Sequence, residues 1–441
     1  MKYKERLRRI SVIFFWVLFL ALAALFLTND FGLVDLHKSS LIVAVGIDST
    51  ENEVQVTAQL AIPKPSQSGD NVEYAEIQGS GETIADALNE INAKTGFYPQ
   101  LQFCKLILLG DSCKDKNIFR LMGCFFRKNY SELTALVAMC DGDASEMLAL
   151  PTKTGDMTTT VIQRALAEEL KKSANVSGVS LKDIAVAHFS RSAACYMPFI
   201  EANVQGTSEE GGNGDNVGGQ KPQTGGSSSS GGGSSGGSGG GSGESGSGGG
   251  SSGEGSSGSS GGGSSGGGSS GESPVEFTAR RTAIFRDGMF VGILDEQQAF
   301  ALDVLKNEIR LAVLPCDTSE YHYTLGLGNA SGGISVNADG NEAEVTLKFS
   351  AYAQIAGIKK VVEPKETEND DKLSPRVLEA AEGEMVKRLQ SLMDVCRDTD
   401  CDFLGIKEQL FKFKYSRFEE LKDTVLKNMK IKYDVKISSR N

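Results

Sequence analysis

The order of hydrophobic and polar positions along the chain predicts a mixture of strands and helices. Apolar and polar residues alternate at 53–60 and 429–437, which is typical of half-buried strands. Short apolar runs at 41–45, 106–109 and 133–139 predict buried strands, because each run ends close to a glycine. Strands and helical segments are interspersed throughout, so we predict the α+β class.

Helical spacing and capping residues predict three helices. Thr83 can cap the first, and the apolar face of that helix is Ile84, Ala87, Leu88 and Ile91. The second covers residues 296–306. Ser374-Pro375 opens the third, with serine as the cap and proline at the first helical position. The apolar stripe of this third helix consists of Leu378, Ala381, Met385, Leu389, Leu392 and Cys396.

Two short polar turns predict hairpins. Asp287-Gly288 separates the strand-like segments 281–285 and 289–294. Asp339-Gly340-Asn341 separates a second pair, 334–336 and 344–352. Each turn lies between two strand-like segments, which predicts a pair of neighbouring antiparallel strands.

The longest apolar run, residues 10–27, predicts a transmembrane anchor within residues 10–28. Its length corresponds to about 27 Å of helix, close to the thickness of a hydrocarbon core. The basic residues 1–9 should stay cytoplasmic, which places the bulk of the chain on the extracytoplasmic side. Cleavage as a signal peptide near Ala21-Leu22-Ala23 is the alternative. The predicted anchor residues are Ile10, Phe14, Trp16, Leu20 and Leu27.

A Gly/Ser tract interrupts the second half of the chain. Residues 225–273 are Gly or Ser apart from three glutamates, and the wider segment 206–273 lacks the apolar content to build a core. We therefore predict a disordered insert at 206–273. Strand-like segments at 197–202 and 275–285 flank it, so we interpret it as an insertion at a loop tip. A spacer between domains is the alternative.

The predicted organisation comprises an anchor followed by three small mixed domains, each a sheet flanked by helices. Its segments are a basic cytoplasmic N-terminus at 1–9, the anchor at 10–28, an N-terminal α/β domain at 39–190, a middle domain at 191–307 interrupted by the insert at 206–273, and a C-terminal α/β domain at 308–441.

Charge and residue usage exclude several classes of protein. The first nine residues carry five basic side chains and one acid, Glu5. The net charge of the remaining chain is therefore −16, compared with −12 for the whole chain. A chain this acidic repels phosphate backbones, which argues against nucleic-acid binding. The three histidines, His37, His188 and His322, lie apart from one another, and the cysteines show no metal-binding spacing. We therefore expect no metal and no cofactor.

Few residues of the sequence suggest a cofactor site, a disulfide or a catalytic group. Gly79-Ser80-Gly81 resembles the start of a dinucleotide loop, but Ile84 occupies the third glycine position, so a turn leading into a helix is the better interpretation. Cys396 and Cys401 are the only local cysteine pair that suggests a disulfide. No arrangement specifies a nucleophile with its base, so we expect no catalytic residues and no enzyme.

Several segments together resemble the Ger(x)C family, the C subunits of GerA-type spore germinant receptors. The matching segments are Val45-Gly46-Ile47-Asp48 with Thr57 to Leu60, Gly79-x-Gly81-x-Thr83-Ile84, Lys105 to Gly110-Asp111, Ala283 to Phe285 with Val291-Gly292-Ile293-Leu294-Asp295, and Asp402-Phe403-Leu404-Gly405. The motif residues, which we expect to be structural, are Gly46, Asp48, Gly79, Gly81, Lys105, Gly110, Gly292, Asp295, Asp402 and Gly405.

The resemblance implies three mixed domains on the outer face of the spore inner membrane and no enzymatic activity. It also implies two partners, an A-type subunit and a transporter-like B-type subunit. Members of the family are typically lipid-anchored through an N-terminal cysteine, but this sequence has no cysteine before Cys104. Attachment of this chain is therefore expected through the helix at 10–28. The long Gly/Ser insert is a second departure from the family.

The anchor, the resemblance and the lack of catalytic motifs leave three candidate functions. The first is a membrane-anchored, non-enzymatic subunit of a germinant receptor complex, located in the spore inner membrane or the bacterial cell membrane and needed for assembly or signalling. The second is a free-standing, envelope-anchored module that binds a small molecule. The third is an envelope hydrolase, which lacks any motif in support.

Overall fold

The structure is a computed structural model that describes residues 12–23, 39–63, 72–96, 98–127, 132–154, 156–166, 176, 178–204, 275–309, 311–338, 342–360 and 373–439. Its strands are β1 (Ser39–Ser49), β2 (Val54–Pro63), β3 (Val72–Gly81), β4 (Tyr98–Gln100), β5 (Leu106–Leu109), β6 (Leu136–Cys140), β7 (Val179–Ser180), β8 (Ala194–Val204), β9 (Val275–Arg286), β10 (Met289–Leu294), β11 (Leu311–Asp317), β12 (Tyr321–Asn337), β13 (Glu344–Lys360) and β14 (Lys430–Ser439). Its helices are α1 (12–23), α2 (Ile84–Thr95), α3 (Ile118–Leu121), α4 (Gly123–Arg127), α5 (Ala144–Ala149), α6 (Thr158–Leu166), α7 (Leu181–Phe189), α8 (Glu296–Leu305), α9 (Pro375–Asp398), α10 (Ile406–Phe413), α11 (Tyr415–Leu421) and α12 (Val425–Asn428).

The described residues form two sheets, of which the larger has a parallel centre and antiparallel margins. Its strand order is β10-β9-β8-β6-β5-β1-β2-β3, with β4 beside β1 and β7 beside β6. The four central strands β8, β6, β5 and β1 pair in parallel, whereas β2–β3 and β9–β10 add antiparallel pairs at the two sides. Parallel strands need helical crossovers, which explains why the helices cover both faces of this sheet.

Two hydrophobic cores lie against the large sheet, one on each face. Ile47, Ile107 and Phe285 belong to the first core, which also contains residues of α2, α3 and α7. Leu106 and Leu108 belong to the second core, together with residues of α5 and α6. Neighbouring residues of β5 thus point to opposite faces, as a strand buried on both sides requires.

The smaller sheet has four strands in the order β11-β12-β13-β14, and β14 pairs in parallel with β13. Residues of its inner face, such as Leu314 and Leu347, form a third core with α8, α9 and α10. The buried stripe of α9 comprises Val377, Ala381, Met385, Arg388, Leu389, Leu392, Met393 and Cys396. This list contains every residue of the predicted stripe except Leu378. That side chain is partly buried and packs against the core.

The strands on either side of the Gly/Ser segment are neighbours in the large sheet. β8 and β9 pair antiparallel from Ala194 with Arg286 to Val204 with Val275. The Arg281 guanidinium also pairs with the Glu201 carboxylate across this ladder. The predicted insert at 206–273 itself lies outside the described residues. The proposed domain boundaries stay a prediction.

Because Val204 and Val275 are paired, residues 206–273 should be replaceable by a short Gly-Asn-Gly turn. We expect an unchanged circular dichroism spectrum and a gain of about 2 kcal/mol in unfolding free energy, since a shorter loop costs less closure entropy. Urea unfolding measures the change. A control deletion that also removes residues 201–204 should lose stability, and a loss with the short deletion alone would contradict the expectation.

Most of the predicted elements are confirmed, and the mixed α+β class is correct. Asp287 and Gly288 both have positive φ, as the predicted hairpin turn requires. Thr83 caps α2 through its hydroxyl. Ser374 occupies the cap position of α9 and Pro375 follows it, as predicted, although the serine side chain makes no capping hydrogen bond.

Only part of the predicted anchor is described. The helix α1 covers residues 12–23, in which Phe14, Trp16 and Leu20 are exposed. Ile10 and Leu27 lie outside the described residues, as do the basic residues 1–9. Among the described residues, no helix combines the length and the apolar character needed to cross a membrane.

Candidate functional site

The three motif aspartates each bind the N-terminus of a helix. Asp295 does so locally, because its Oδ1 accepts the backbone N–H of Gln298 at 2.8 Å while the Gln298 side chain accepts the N–H of Asp295 at 3.1 Å. This reciprocal pair is a capping box, which satisfies backbone donors that the first turn of α8 leaves free.

Asp48 binds a helix that is distant in sequence. Its two carboxylate oxygens accept the N–H groups of Ala144 at 2.7 Å and Ser145 at 3.0 Å, at the start of α5. The side chain is 7% exposed at the end of β1. Burial raises the pKa of Asp48, and the two backbone hydrogen bonds oppose that shift because they favour the ionised form.

Of the three aspartates, Asp402 accepts the most hydrogen bonds. Its oxygens accept the N–H groups of Ile406 and Lys407, both at 2.7 Å, at the start of α10. Its Oδ2 also accepts the hydroxyl of Ser192 at 2.6 Å, from the turn before β8. Asp402 therefore joins the C-terminal helices to the large sheet. Burial raises the pKa of this carboxyl, with the hydrogen bond from Ser192 as the largest opposing effect.

Four of the six motif glycines lie where a helix approaches closely. A Cβ atom on Gly79 would overlap the Ala87 carbonyl oxygen of α2, and one on Gly110 would overlap the Asp48 carboxylate. Gly46 and Gly81 are similarly crowded by α5 and α2. Gly405 has a φ of 80°, a left-handed conformation that glycine adopts without strain. Gly292 differs, because a Cβ there would meet no atom within 4 Å.

This contrast predicts opposite outcomes for two alanine substitutions. Gly79→Ala should lower the free energy of unfolding by about 1–3 kcal/mol, because α2 must move away from β3. Gly292→Ala, the matched control, should change it by less than about 0.5 kcal/mol. Chemical denaturation of both variants measures the difference. Equal effects at the two positions would contradict the role assigned to Gly79.

Lys105 contributes through its backbone. Its N–H donates to the Val43 carbonyl at 2.9 Å, and its own carbonyl accepts the Leu136 N–H at 2.9 Å. These bonds link β1, the start of β5 and β6, whereas the lysine side chain is exposed. Gly46, Asp48 and Gly110 thus meet at the start of α5, Gly79 and Gly81 face α2, and the remaining motif residues lie elsewhere in the fold. Gly292 makes no such close approach.

A cleft of 270 Å³, here called the Asp402 cleft, lies between α7 and the segment that leads into α10. Its lining includes Ile184, Tyr196, Lys306, Asp402 and Phe403. The Lys306 ammonium donates to the Leu404 carbonyl at 3.1 Å and lies 5.7 Å from the centroid of the Tyr196 ring. Burial lowers the pKa of Lys306, and the negative charge of Asp402 opposes the shift.

Sequence reasoning singled out Asp402 but missed Ser192, Tyr196 and Lys306. Tyr196 lies on β8, one residue before the strand segment that the pattern predicted, and Lys306 lies at the predicted end of α8. A lysine at a helix C-terminus is ordinarily explained by the helix dipole, so no local signal marked the partial burial of Lys306.

The cysteines form no disulfide bonds. All eight are free thiols, including Cys396 and Cys401, so the suggested local disulfide is absent from the structure. The Cys396 thiol instead donates to the Cys401 carbonyl, with the sulfur 3.1 Å from the oxygen. Burial raises the pKa of Cys401 to about 12. In the part of the chain that the structure describes, no three His, Cys, Asp or Glu side chains are placed to hold a metal ion.

Comparison with known proteins resolves the family. Residues 33–202 match the spore germination protein N-terminal domain, and residues 280–441 match the C-terminal domain described as spore germination B3/GerAC-like. The chain belongs to the Ger(x)C family. The two matches to this family bracket the Gly/Ser insert, which neither includes.

The sequence and the fold of this Ger(x)C protein were also compared with curated proteins and solved structures. No curated protein matches the sequence. A solved structure described as the crystal structure of the GerBC protein is 12% identical, with 90% of this chain and 97% of that chain covered and a TM-score of 0.47.

Proposed function

We propose that this Ger(x)C protein is a membrane-anchored, non-enzymatic subunit of a spore germinant receptor complex, needed for receptor assembly or signalling. The observation that carries the proposal is the pair of family matches at 33–202 and 280–441, which together contain strands of both sheets. The proposed partners are an A-type subunit and a transporter-like B-type subunit.

The structural use of the motif residues supports a non-enzymatic role. The carboxylates of Asp48 and Asp402 already accept two and three hydrogen bonds respectively, and each is less than a tenth exposed. A general acid or base must reach the proton that it transfers. Carboxylates that bind helix N-termini from buried positions are suited to holding the fold.

The proposed attachment is the segment 10–28, as a single span in the spore inner membrane or the bacterial cell membrane. Its described part, α1, exposes its large apolar side chains along the whole helix. A helix that is apolar on all sides needs an apolar environment. The bulk of the chain would then lie on the extracytoplasmic side, because the basic residues 1–9 favour the cytoplasm.

Crosslinking of the tagged full chain in spore membranes, followed by affinity purification and mass spectrometry, tests complex membership. Recovery of an A-type chain and a polytopic transporter-like chain is expected, and deletion of the gene should abolish nutrient-triggered germination. Purification of the protein alone, together with unchanged germination in a strain without a second copy, would overturn the proposal.

The Asp402 cleft favours a second candidate, a free-standing module that binds a small molecule. The cleft combines apolar side chains with the half-buried Lys306, a composition common in ligand sites. A thermal-shift screen of the full chain in detergent against amino acids and sugars tests this candidate. A shift that Lys306→Met removes would support it, and the absence of any shift would exclude these ligands.

A further inference from the structure

The part of the chain that the structure describes has four outermost strands, β3 and β10 in the larger sheet and β11 and β14 in the smaller one. An outermost strand exposes unpaired N–H and C=O groups with which another chain can pair, and proteins ordinarily protect such an edge. The edge of β3 is protected by α2, because Glu90 accepts the Ser80 N–H and Lys94 donates to the Gln78 carbonyl at 2.8 Å.

The edges of β14 and β10 are protected as well. Glu382 of α9 accepts the N–H of Ile437 on β14 at 2.9 Å. The exposed side chains of β14 include three lysines, Lys430, Lys432 and Lys436. Lysine on an edge strand opposes pairing with a like strand. The strand β10 has only six residues, and the segment Asp111–Asp115 packs beside it, with the Lys114 ammonium 5.3 Å from the ring centroid of Phe290.

The strand β11 presents its odd-numbered backbone groups to the free edge. It pairs with β12 over its whole length without a register shift, and the Thr318 N–H directly after it donates to the Tyr321 carbonyl at 2.9 Å. In an antiparallel pair, residues alternate between facing the neighbouring strand and facing away from it. The even-numbered residues therefore face β12, whereas Leu311, Val313 and Pro315 face away. Proline has no N–H, so the position of Pro315 fits an edge strand.

The edge of β11 has neither a cap nor a charge in its middle. Among the described residues, no hydrogen bond reaches the outward N–H or carbonyl of Val313. The side chains of Leu311 and Val313 are 42% and 51% exposed. The one charged residue of β11 is Asp317 at its end, whose Oδ1 lies 2.5 Å from Nδ1 of His322. The β12 residues opposite the exposed positions are also uncharged, namely Gly328, Gly326 and Thr324. Of the four outermost strands described, β11 is thus the one that lacks protection.

A second copy of this chain fits the edge of β11. A two-fold axis at Val313 brings the two strands together antiparallel, so that the two Val313 residues face each other and Leu311 faces Pro315 of the second copy. The residues that face away from β12 then form the hydrogen-bonded pairs, and no charged side chains meet between positions 311 and 315. Glu308 and Arg310, which precede the strand in the sequence, carry opposite charges.

A strand of a different protein fits this edge less well. Charged and polar groups select one partner over others, because they penalise the wrong one. Positions 311–316 carry no charge with which to select a foreign strand. An identical strand needs no such selection, since each open edge satisfies the other in an isologous contact.

We propose that two copies of this chain pair through β11, which joins their four-stranded sheets into one continuous sheet across a two-fold axis. The inference goes beyond the proposed function, because it needs neither an A-type nor a B-type subunit. Cross-strand contacts of Leu311, Val313 and Pro315 add to the backbone hydrogen bonds of the new pair.

Sedimentation of the purified full chain in detergent micelles, over a series of protein concentrations, tests the proposal. We expect a concentration-dependent dimer. Val313→Lys places two like charges at the two-fold axis and should raise the Kd of the dimer at least about tenfold, which corresponds to about 1.4 kcal/mol. Tyr352→Lys is the matched control, because Tyr352 is 49% exposed on β13 between two paired strands, and it should change the Kd less than about twofold. The circular dichroism spectra of both variants should match that of the wild type.

Disulfide crosslinking locates the contact in native membranes. The Cα atoms of facing hydrogen-bonded residues in an antiparallel pair lie about 5.5 Å apart, within the range that a disulfide bridges. Val313→Cys should therefore give a covalent dimer after mild oxidation with copper phenanthroline, and Tyr352→Cys should not. The wild type sets the background, because its eight cysteines are free thiols and none of them is exposed.

Four outcomes would overturn the inference in distinguishable ways. A monomer at every concentration, with rapid hydrogen exchange of the Val313 amide, would show an open edge that does not pair. A monomer with a protected Val313 amide would show that the edge is covered within one chain. A dimer that Val313→Lys leaves intact would place the contact elsewhere, for example on α1. Crosslinking of position 313 to a different protein, without a covalent homodimer, would assign the edge to a foreign strand.

Discussion

Asp402→Ala is expected to lower the free energy of unfolding by about 3–5 kcal/mol. The substitution leaves three donors without their acceptor, namely the N–H groups of Ile406 and Lys407 and the hydroxyl of Ser192, and two of the three hydrogen bonds are buried. It also removes the negative charge that favours the charged form of the half-buried Lys306. Because Asp402 bonds both α10 and the turn before β8, the loss should loosen the packing of the C-terminal helices on the large sheet.

Urea unfolding with circular dichroism measures this loss, and hydrogen exchange of the Ile406 and Lys407 amides locates it. Asp398→Ala is the matched control, because that aspartate is exposed at the end of α9 and should change stability by less than about 0.5 kcal/mol. Equal effects of the two substitutions would contradict the capping role of Asp402.

The same residue should make stability depend on pH. Burial raises the pKa of Asp402 in the folded state above its ordinary value of 3.8, so the folded protein binds this proton more tightly than the unfolded chain. Ionisation therefore costs stability as the pH rises from the unfolded pKa through the folded one. The unfolding free energy of the wild type minus that of Asp402→Asn should fall over this interval. An increase with pH would indicate a lowered pKa instead.

Asp48→Ala is expected to lower the free energy of unfolding by about 2–3 kcal/mol. The substitution leaves the Ala144 and Ser145 N–H groups at the start of α5 without acceptors. It also leaves space beside Gly110, whose Cα faces the carboxylate. The helix α5 packs on the second core of the large sheet, so its first turn should become accessible to hydrogen exchange.

Asp143 supplies the control for this substitution. It occupies the cap position of α5, yet its side chain makes no capping hydrogen bond and is exposed. Asp143→Ala should therefore change stability by less than about 0.5 kcal/mol, as denaturation curves would show. A larger loss at Asp143 than at Asp48 would reverse the assignment of the cap.

Local capping and strand patterns were predictable because they depend on residues close in sequence. Thr83 lies at the start of α2 and bonds its first turn, and the Asp287-Gly288 turn joins two strands that follow each other directly. Amphipathic spacing identified α9 for the same reason. Ser374 shows the limit of this reasoning, because a residue at the cap position need not use its hydroxyl as a cap.

The candidate site was predictable only in outline. Sequence motifs identified Asp402 and Gly405, but Ser192 and Lys306 reach Asp402 from segments far away in the chain. Nor does any local pattern distinguish the exposed Phe413 from the half-buried Phe411, which lies two residues earlier. Which of the two rings faces solvent follows from how α10 packs on the rest of the protein.

The sequence by itself determined the local elements, the mixed fold class, the family resemblance and the position of the Gly/Ser insert, because each depends on composition or on residues near one another in the chain. Only the tertiary structure decided which aspartate caps which helix, that Lys306 is half-buried near Asp402, and which aromatic rings face solvent. Asp48 caps a helix that begins 96 residues later, in place of the adjacent Asp143. Such pairings depend on proximity in space, which the packing of strands and helices creates and no local pattern records.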